Sequence, residues 1–203
     1  MKKLGREFYS RDTLIVAKEL LGKVLVYEVG GQKISAKIVE TEAYMGIEDK
    51  AAHSYGGRRT KRVEVMYGAP GFSYVFMIYG MYFCFNVVTR EVGNPQAVLI
   101  RAVEPREGLD FMAQNRFKKP YCELTQAQKR GLTNGPGKLC QAFSIDKNLN
   151  GEDLCGRRLY MEEGEKEIFN IVSTKRVGID YAQEAKDFPW RFYIEGNKHV
   201  SVK

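Results

Sequence analysis

The segment Gln32–Tyr44 places the strongest constraint on how this chain can fold. From Ile34 to Ile38 apolar and polar residues alternate, which is the period of a β-strand with one inward face. The preceding run 23–29 also predicts a strand, and Gly30-Gly31 between the two runs can supply the positive φ angles of a two-residue turn. The sequence therefore predicts a β-hairpin whose second strand is unusually long.

Two acids lie near the end of this second strand. By a period of two, Glu40 and Glu42 continue the face of Ile34, Ala36 and Ile38, so they are expected to point inward. Burial strengthens every charge interaction that a carboxylate makes, so such an acid either belongs to a satisfied polar network or takes part in chemistry. Spacing alone favours the network and leaves both interpretations open.

Size and charge restrict the class of protein. The chain has 203 residues, of which 44% are hydrophobic, so residues 1–203 are expected to form a single domain. The net charge of +7 favours an anionic partner, and nucleic acid ranks above membrane because no apolar run reaches spanning length. A protein that merely happens to be basic is the alternative. The charged start 1–7 leads into no apolar signal region, which predicts a cytoplasmic protein, associated with the nucleoid if bacterial.

The cysteines and histidines form no metal-binding motif. Cys84, Cys122, Cys140 and Cys155 are widely spaced, without a paired C-x-x-C, and the chain has only two histidines. We therefore expect reduced, mostly packed cysteines, no metal and no cofactor.

Turn and capping signals divide the rest of the chain into short elements. Asp12 is placed to cap a helix that ends near Gly22, and Tyr79-Gly80 interrupts an apolar run that we interpret as a second hairpin. The expected fold is α+β: a single domain with a curved, mainly antiparallel β-sheet, flanking helices and a protruding β-hairpin. The further predicted elements are a strand over 97–103, a helix from Pro105 to about Phe117, a helix from Pro136, and strands near 157–161, 167–172 and 191–194.

Two features suggest contact with a nucleic acid duplex. Tyr79 lies at a predicted hairpin tip, where it could act as a wedge between stacked bases or fold back onto its own sheet. The loop 56–62 is rich in glycine and in basic residues, and it either binds phosphate oxygens or is simply solvated.

Two further features suggest a site for a nucleotide. The run 134–138, Asn-Gly-Pro-Gly-Lys, opens a helix whose free N–H groups attract an anion, although it can also be a helix start without a ligand. Aromatic residues near the two acids in sequence could stack on a base or pack in the core: Tyr44, His53, Phe76 and Tyr82. Together, the four features suggest a protein that takes a nucleotide out of a duplex and acts on it.

Several stretches together resemble a known family over nearly the whole chain. The residues that carry the likeness are 39–44 (VETEAY), 48–54 (EDKAAHS), 74–86 (YVFMIYGMYFCFN), 98–105 (VLIRAVEP), 134–143 (NGPGKLCQAF), 176–178 (RVG) and 191–193 (RFY). In this order they strongly resemble the mammalian-type alkyladenine, or 3-methyladenine, DNA glycosylases. The resemblance implies a base-excision repair enzyme that flips alkylated or deaminated purines out of duplex DNA, a reaction class known for base flipping.

The resemblance also implies roles for catalytic residues. Glu42 matches the general base that activates the attacking water, and Arg101 and the carbonyl of Val177 match groups that hold this water. Because no lysine occupies the matched catalytic position, we expect a monofunctional hydrolase without strand cleavage. The family is usually monomeric, which implies a monomer without an obligatory protein partner.

The remaining site assignments concern the base and the DNA. Asn86 matches a residue that excludes normal guanine, and Phe76 stands where the family more often has tyrosine, so a hydroxyl contact is lost. The implied base pocket comprises Tyr44, His53, Phe76, Asn86 and Leu99, and the backbone N–H of His53 is expected to read the purine edge. Tyr79 is the implied intercalating residue. Phosphate binding is assigned to Arg58, Arg59, Gly135, Gly137 and Lys138.

Three other functions are compatible with parts of the pattern. A helix-hairpin-helix glycosylase could use 135–137, but it would be mainly helical. A non-catalytic nucleic-acid binding module would explain charge and aromatics but not an inward acid. A metal-dependent nuclease would need clustered acids around a divalent ion.

Overall fold

The computed structural model describes residues 2–202. Its centre is a curved, antiparallel, eight-stranded sheet within an α+β fold, as predicted. The strands are β1 Val24–Val29, β2 Gln32–Tyr44, β3 Ser73–Ile78, β4 Tyr82–Thr89, β5 Gln96–Glu107, β6 Leu159–Glu162, β7 Ile171–Thr174 and β8 Arg191–Ile194. The α-helices are α1 Arg6–Tyr9, α2 Thr13–Glu19, α3 Leu109–Phe117, α4 Gln126–Arg130 and α5 Pro136–Phe143. Short 3₁₀ turns cover Gly46–Glu48, Tyr55–Gly57, Glu64–Tyr67, Tyr121–Glu123, Lys147–Leu149 and Gln183–Asp187.

Strand β2 is the structural centre of the sheet. Along one edge it pairs with β5, and along the other it pairs first with β1 and then with β8. The order is β3-β4-β5-β2-β1-β6, with β7 attached to β8. Neighbours pair along both edges of β2 and helix α2 packs on it, and its side chains are buried from Ile34 to Ala43.

Local signals produced several elements where they were predicted. The Asp12 carboxylate accepts hydrogen bonds from the N–H groups of Leu14 and Ile15, which caps α2. The turn between β1 and β2 uses positive φ angles at Gly30 and Gly31. These confirm the first hairpin and the capped helix.

The helix predicted from Pro105 was placed too early. Strand β5 continues to Glu107, with Pro105 opposite Ala36 of β2, and α3 begins only after Gly108, which has a φ of 73°. Strand β4 pairs only with residues 96–99 of β5, so Pro105 lacks a second strand partner and its missing N–H is tolerated. Pairing with β2 therefore overrides the preference of proline for a helix start.

Three more differences concern short elements. The strand predicted over 167–172 lies at Ile171–Thr174, and the one near 157–161 begins at Leu159. Helices α1 and α4 were not predicted, because each spans barely more than one helical turn and shows little periodicity.

Helices α2 and α5 pack on the sheet and complete the main hydrophobic core. Helix α5 lies against β4, β5 and α3, so its N-terminus at Pro136 stands beside the β3-β4 hairpin. Between residues 2 and 202, no helix is long and apolar enough to span a membrane.

Candidate active site

A cavity of about 530 Å³ opens between the β3-β4 hairpin, the middle of β5 and the loop 176–181. This volume lies within the range of small-molecule sites, roughly 300–1,000 Å³. Among the lining residues are Tyr44, His53, Phe76, Asn86, Leu99 and Val177, which come from six separate strands and loops. Folding therefore brings the predicted pocket residues to one place.

The sheet itself aligns part of this site. Residues paired across neighbouring antiparallel strands project from the same face. The pairing register joins five strands in one row: Tyr74 of β3, Asn86 of β4, Leu99 of β5, Glu42 of β2 and Arg191 of β8. The cavity thus lies over the part of this row formed by Tyr74, Asn86 and Leu99, and Glu42 comes next in the row.

Glu42 is fully buried, and its partners form the cavity wall. Oε1 accepts a hydrogen bond from the Val177 N–H at 2.8 Å and lies 3.3 Å from Nη1 of Arg101. Oε2 accepts a hydrogen bond from the Tyr44 hydroxyl at 2.9 Å. Tyr44, Arg101 and Val177 all line the cavity, so the carboxylate lies immediately behind its surface.

The Tyr44 hydroxyl stays protonated in this arrangement. Burial raises its pKa well above the ordinary value, and the Glu42 charge raises it further. Tyr44 therefore serves as a constant hydrogen-bond donor to the carboxylate.

Glu40 lies only two positions from Glu42 but has a different set of partners. It is fully buried and is tied to Arg101, to Arg191 and to Ser201 near the C-terminus. Neither acid lines the cavity itself, but all three partners of Glu42 do, whereas Arg101 is the one side-chain partner of Glu40 that does. Of the two interpretations offered for an inward acid, the polar network describes Glu40.

The β2 ladder is irregular where the two acids lie. Register shifts relative to β5 occur between Ile38 and Glu40 and between Glu40 and Thr41. These shifts interrupt the strict alternation from which a common face was predicted, although the predicted burial of both acids is confirmed. Such bulges redirect side chains near functional sites.

Three aromatic residues form one wall of the cavity. The His53 Nδ1 lies 2.8 Å from the Tyr74 hydroxyl, and its ring meets the Phe76 ring edge-on at 4.6 Å between centroids. Burial lowers the pKa of His53 to about 4, and the charges of Arg62 and Arg58 add to the effect. At neutral pH this wall therefore carries an uncharged imidazole.

Asn86 is positioned by the backbone of the neighbouring strand. Its Nδ2 donates a hydrogen bond to the Tyr74 carbonyl at 3.0 Å, and its side chain is buried against the cavity. The contact fixes the direction of the Asn86 amide in the cavity wall.

A buried ion pair supports the loop that carries Val177. Arg176 donates to both carboxylate oxygens of Asp49, at 2.5 and 2.8 Å, and to the carbonyls of Ala43 and Ala185. Asp49 also accepts hydrogen bonds from the N–H groups of Met45 and Ala51. This pair links the end of β2 to the loop whose Val177 N–H contacts Glu42.

The rim of the cavity carries exposed aromatic side chains. Tyr79 occupies the predicted turn between β3 and β4 with a φ of 51°, and 84% of its surface is exposed. Tyr181, from the loop that follows Val177, is 68% exposed and also lines the cavity. Tyr79 therefore does not fold back onto its own sheet.

The residues assigned to phosphate binding lie on two segments. Arg58, Arg59 and Lys138 are exposed, whereas Gly137 is partly buried and Gly135 is buried. Arg59 is paired with Glu64, at 2.5 and 3.0 Å, whereas Arg58 makes no side-chain ion pair within the described residues. Lys138 donates to the Asn134 side chain at 2.9 Å. At Gly137 a Cβ atom would meet the ring of Tyr82 at 3.2 Å, so glycine allows α5 to approach the hairpin.

Sequence reasoning missed several cavity residues. Arg62 lies 5.0 Å above the Phe76 ring, and Tyr74, Ile179 and Tyr181 also line the cavity. Tyr74 could have been found from its place opposite Asn86 in a predicted hairpin. The others come from loops, where no periodic signal exists. Across residues 2–202, no group of three or more His, Cys, Asp and Glu side chains could hold a metal ion.

Comparison with known proteins gives this site its context. Residues 7–198 match the model of the methylpurine-DNA glycosylase family. Proteins from Desulfitobacterium hafniense (strain Y51), Clostridium acetobutylicum and Clostridium tetani are 74%, 62% and 57% identical to the chain. Each alignment covers 98–100% of both chains, and each relative is named as a candidate 3-methyladenine DNA glycosylase.

These matches define the class of protein: a DNA-repair hydrolase of the DNA glycosylase type. Within this class, the chain belongs to the methylpurine-DNA glycosylase family. The family resemblance inferred from the sequence motifs is therefore confirmed.

Proposed function

We propose that this protein excises alkylated or deaminated purines from duplex DNA by base flipping and by hydrolysis of the N-glycosidic bond with a water activated by Glu42. The observation that carries the proposal is a fully buried Glu42 whose three partners, Tyr44, Arg101 and Val177, all belong to the wall of a base-sized cavity. A carboxylate with only a structural role would not need a cavity at this point.

The chemistry of the bond explains why a carboxylate is needed. Cleavage of an N-glycosidic bond develops positive charge on the sugar, and a nearby carboxylate both stabilises this charge and accepts a proton from water. A positioned general base contributes about 10²- to 10⁴-fold to the rate. Arg101 and the carbonyl of Val177 would hold the attacking water, while the Val177 N–H orients the carboxylate.

The aromatic faces of the pocket suit a cationic alkylated purine, although the cations Arg62 and Arg101 also line the cavity. Alkylation at N3 or N7 makes the base cationic, so it leaves readily and binds to aromatic faces. Tyr44, His53 and Phe76 supply such faces, and a neutral His53 does not repel the cation. Leu99 and Asn86 would close the far side, with Asn86 crowding the exocyclic amino group of guanine.

Duplex DNA would bind across the cavity mouth. Exposed Tyr79 fills the gap that the flipped nucleotide leaves, and phosphates lie near the segments that carry Arg58, Arg59, Gly135, Gly137 and Lys138. Such binding is sequence-independent and salt-sensitive, and a damaged base costs less to flip than a paired one. We further infer that residues 1–203 act as one domain, since a continuous sheet connects β1 to β8. That the domain acts as a monomer is inferred from the family resemblance alone.

The reaction is proposed to stop at base release. Strand cleavage by a glycosylase uses an amine that forms a Schiff base. Within the described residues, no lysine lines the cavity. An intact strand with an abasic site is therefore the expected product.

The test is a single-turnover assay on duplexes that contain one 3-methyladenine, 7-methylguanine, hypoxanthine or ethenoadenine. The wild type should release free base, and Glu42→Gln should bind the duplex but lose release by at least about 100-fold. Glu104→Gln is the matched control, because Glu104 is paired with Lys37 on the same sheet but does not line the cavity. Near-normal release by Glu42→Gln would refute the mechanism. No release by the wild type from any duplex would favour a non-catalytic binding module.

A further inference from the structure

Glu40 is the buried acid that the proposed mechanism leaves without a role. Its Oε1 accepts hydrogen bonds from Nε of Arg101 at 3.1 Å, Nη1 of Arg191 at 2.8 Å and the Ser201 hydroxyl at 2.9 Å. Its Oε2 accepts a hydrogen bond from the Ser201 N–H at 2.7 Å. Of these partners only Arg101 lines the cavity, whereas Arg191 and Ser201 do not.

Arg101 connects this network to the candidate catalytic carboxylate. Its Nε contacts Glu40, its Nη1 lies 3.3 Å from Glu42, and its Nη2 donates to the Ser201 hydroxyl at 3.2 Å. Because three separate nitrogens are engaged, the guanidinium plane has a single orientation. Glu40 and Ser201 therefore determine where the Arg101 charge stands relative to Glu42.

The charges of this group are balanced. Glu40 and Glu42 face Arg101 and Arg191, and all four side chains are buried or nearly so. A cation that served Glu42 alone would stabilise the carboxylate and make it a poorer proton acceptor. Sharing of Arg101 with Glu40 limits this effect while keeping the guanidinium in place.

We propose that Glu40 is a positioning residue, which orients Arg101 against Glu42 and offsets part of the Arg101 charge so that Glu42 remains an effective base. The inference rests on the proposed role of Glu42. Ser201 assists by bridging Glu40 and Arg101, which makes the C-terminal residues part of the site.

The remaining groups around Glu42 would keep their charge in a Glu40 variant, although Arg191 would lose its carboxylate partner. They come from several elements: Tyr44 on β2, Cys84 on β4, Arg176 after β7, Tyr181 in the following loop and Arg191 on β8. The Tyr44 hydroxyl and the Cys84 thiol are protonated, because burial raises the pKa of both, to about 12 for Cys84. A change in the pH profile would therefore report the altered charge on Glu40.

The experiment compares Glu40→Gln with Glu104→Gln in single-turnover base release from a duplex with one cationic alkylated purine, over a range of pH. Such a leaving group needs no protonation. The fall in rate at low pH, here called the acid limb, therefore reports protonation of the catalytic base. Glu40→Gln should move this limb to lower pH by about one unit and lower the plateau rate about threefold. Glu104→Gln should leave both unchanged.

Ser201→Ala is the second test variant, to be used if Glu40→Gln does not fold. It keeps every charge, so the plateau rate should fall while the acid limb stays in place. The proposal is overturned if the Glu40 variant matches the wild type, or if it loses rate without a shift of the limb. Failure of Glu42 as the base would appear separately, as base release by Glu42→Gln.

Discussion

The Tyr44 hydroxyl donates a 2.9 Å hydrogen bond to Oε2 of Glu42, a residue of the same strand two positions earlier. A donor stabilises the charged form of a carboxylate. Tyr44→Phe keeps the ring but removes this donor, so the acid limb of the rate profile should move to higher pH, opposite to the shift for Glu40→Gln. The measurement is single-turnover release over pH, and an unmoved limb would show that this contact does not tune the base.

Tyr79 should contribute to binding rather than to stability. Because 84% of the side chain is exposed, Tyr79→Ala should leave the melting temperature within about 2 °C of the wild type. Loss of the ring should weaken binding to a lesion duplex about tenfold or more, since stacking on an aromatic is worth about 1–3 kcal/mol. Tyr79→Phe keeps the ring and is the control. Equal affinities for all three proteins in a fluorescence titration would argue against a wedge.

His53 should make the fold sensitive to acid. Its pKa is lowered from 6.5 to about 4, so between these values the unfolded chain binds a proton that the folded chain does not. The stability contributed by His53 is complete above about pH 6.5 and is lost as the pH falls toward 4, by about 2 to 3 kcal/mol.

Urea unfolding at pH 7 and pH 4.5 checks this prediction with the wild type and with His53→Gln. The variant should lose less stability on acidification. Some acid sensitivity should remain, because burial also lowers the pKa of His199. Identical losses in both proteins would contradict the assignment to His53.

The Asp49–Arg176 pair should be important for stability as well as for the site. Both side chains are fully buried, so Asp49→Asn leaves an uncompensated guanidinium and should cost about 3–5 kcal/mol. Glu64→Gln is the control, since the Arg59–Glu64 pair is exposed to solvent and its loss should cost far less stability. Denaturant unfolding of both variants measures the difference, and equal costs would show that burial does not make the pair important.

Much of the fold follows from signals that are local in the sequence. The strand period of 34–38, the glycines at 30–31, the Asp12 cap and the turn at Tyr79 each depend on a few neighbouring residues, and each prediction is confirmed. The motifs also determined the family, since they lie in order along the whole chain. Turns, caps and strand periods can be predicted from sequence because the interactions that produce them involve residues close together in the chain.

The motif match singled out Glu42, but only the tertiary structure shows how the environments of Glu40 and Glu42 differ. The two acids share a strand and a spacing, but their partners come from residues 101, 177, 191 and 201, which are distant in sequence. Pairing with β2 likewise decided that Pro105 belongs to a strand. The environment of a buried charge depends on which groups from distant parts of the sequence surround it. Its chemical role therefore depends on the tertiary structure.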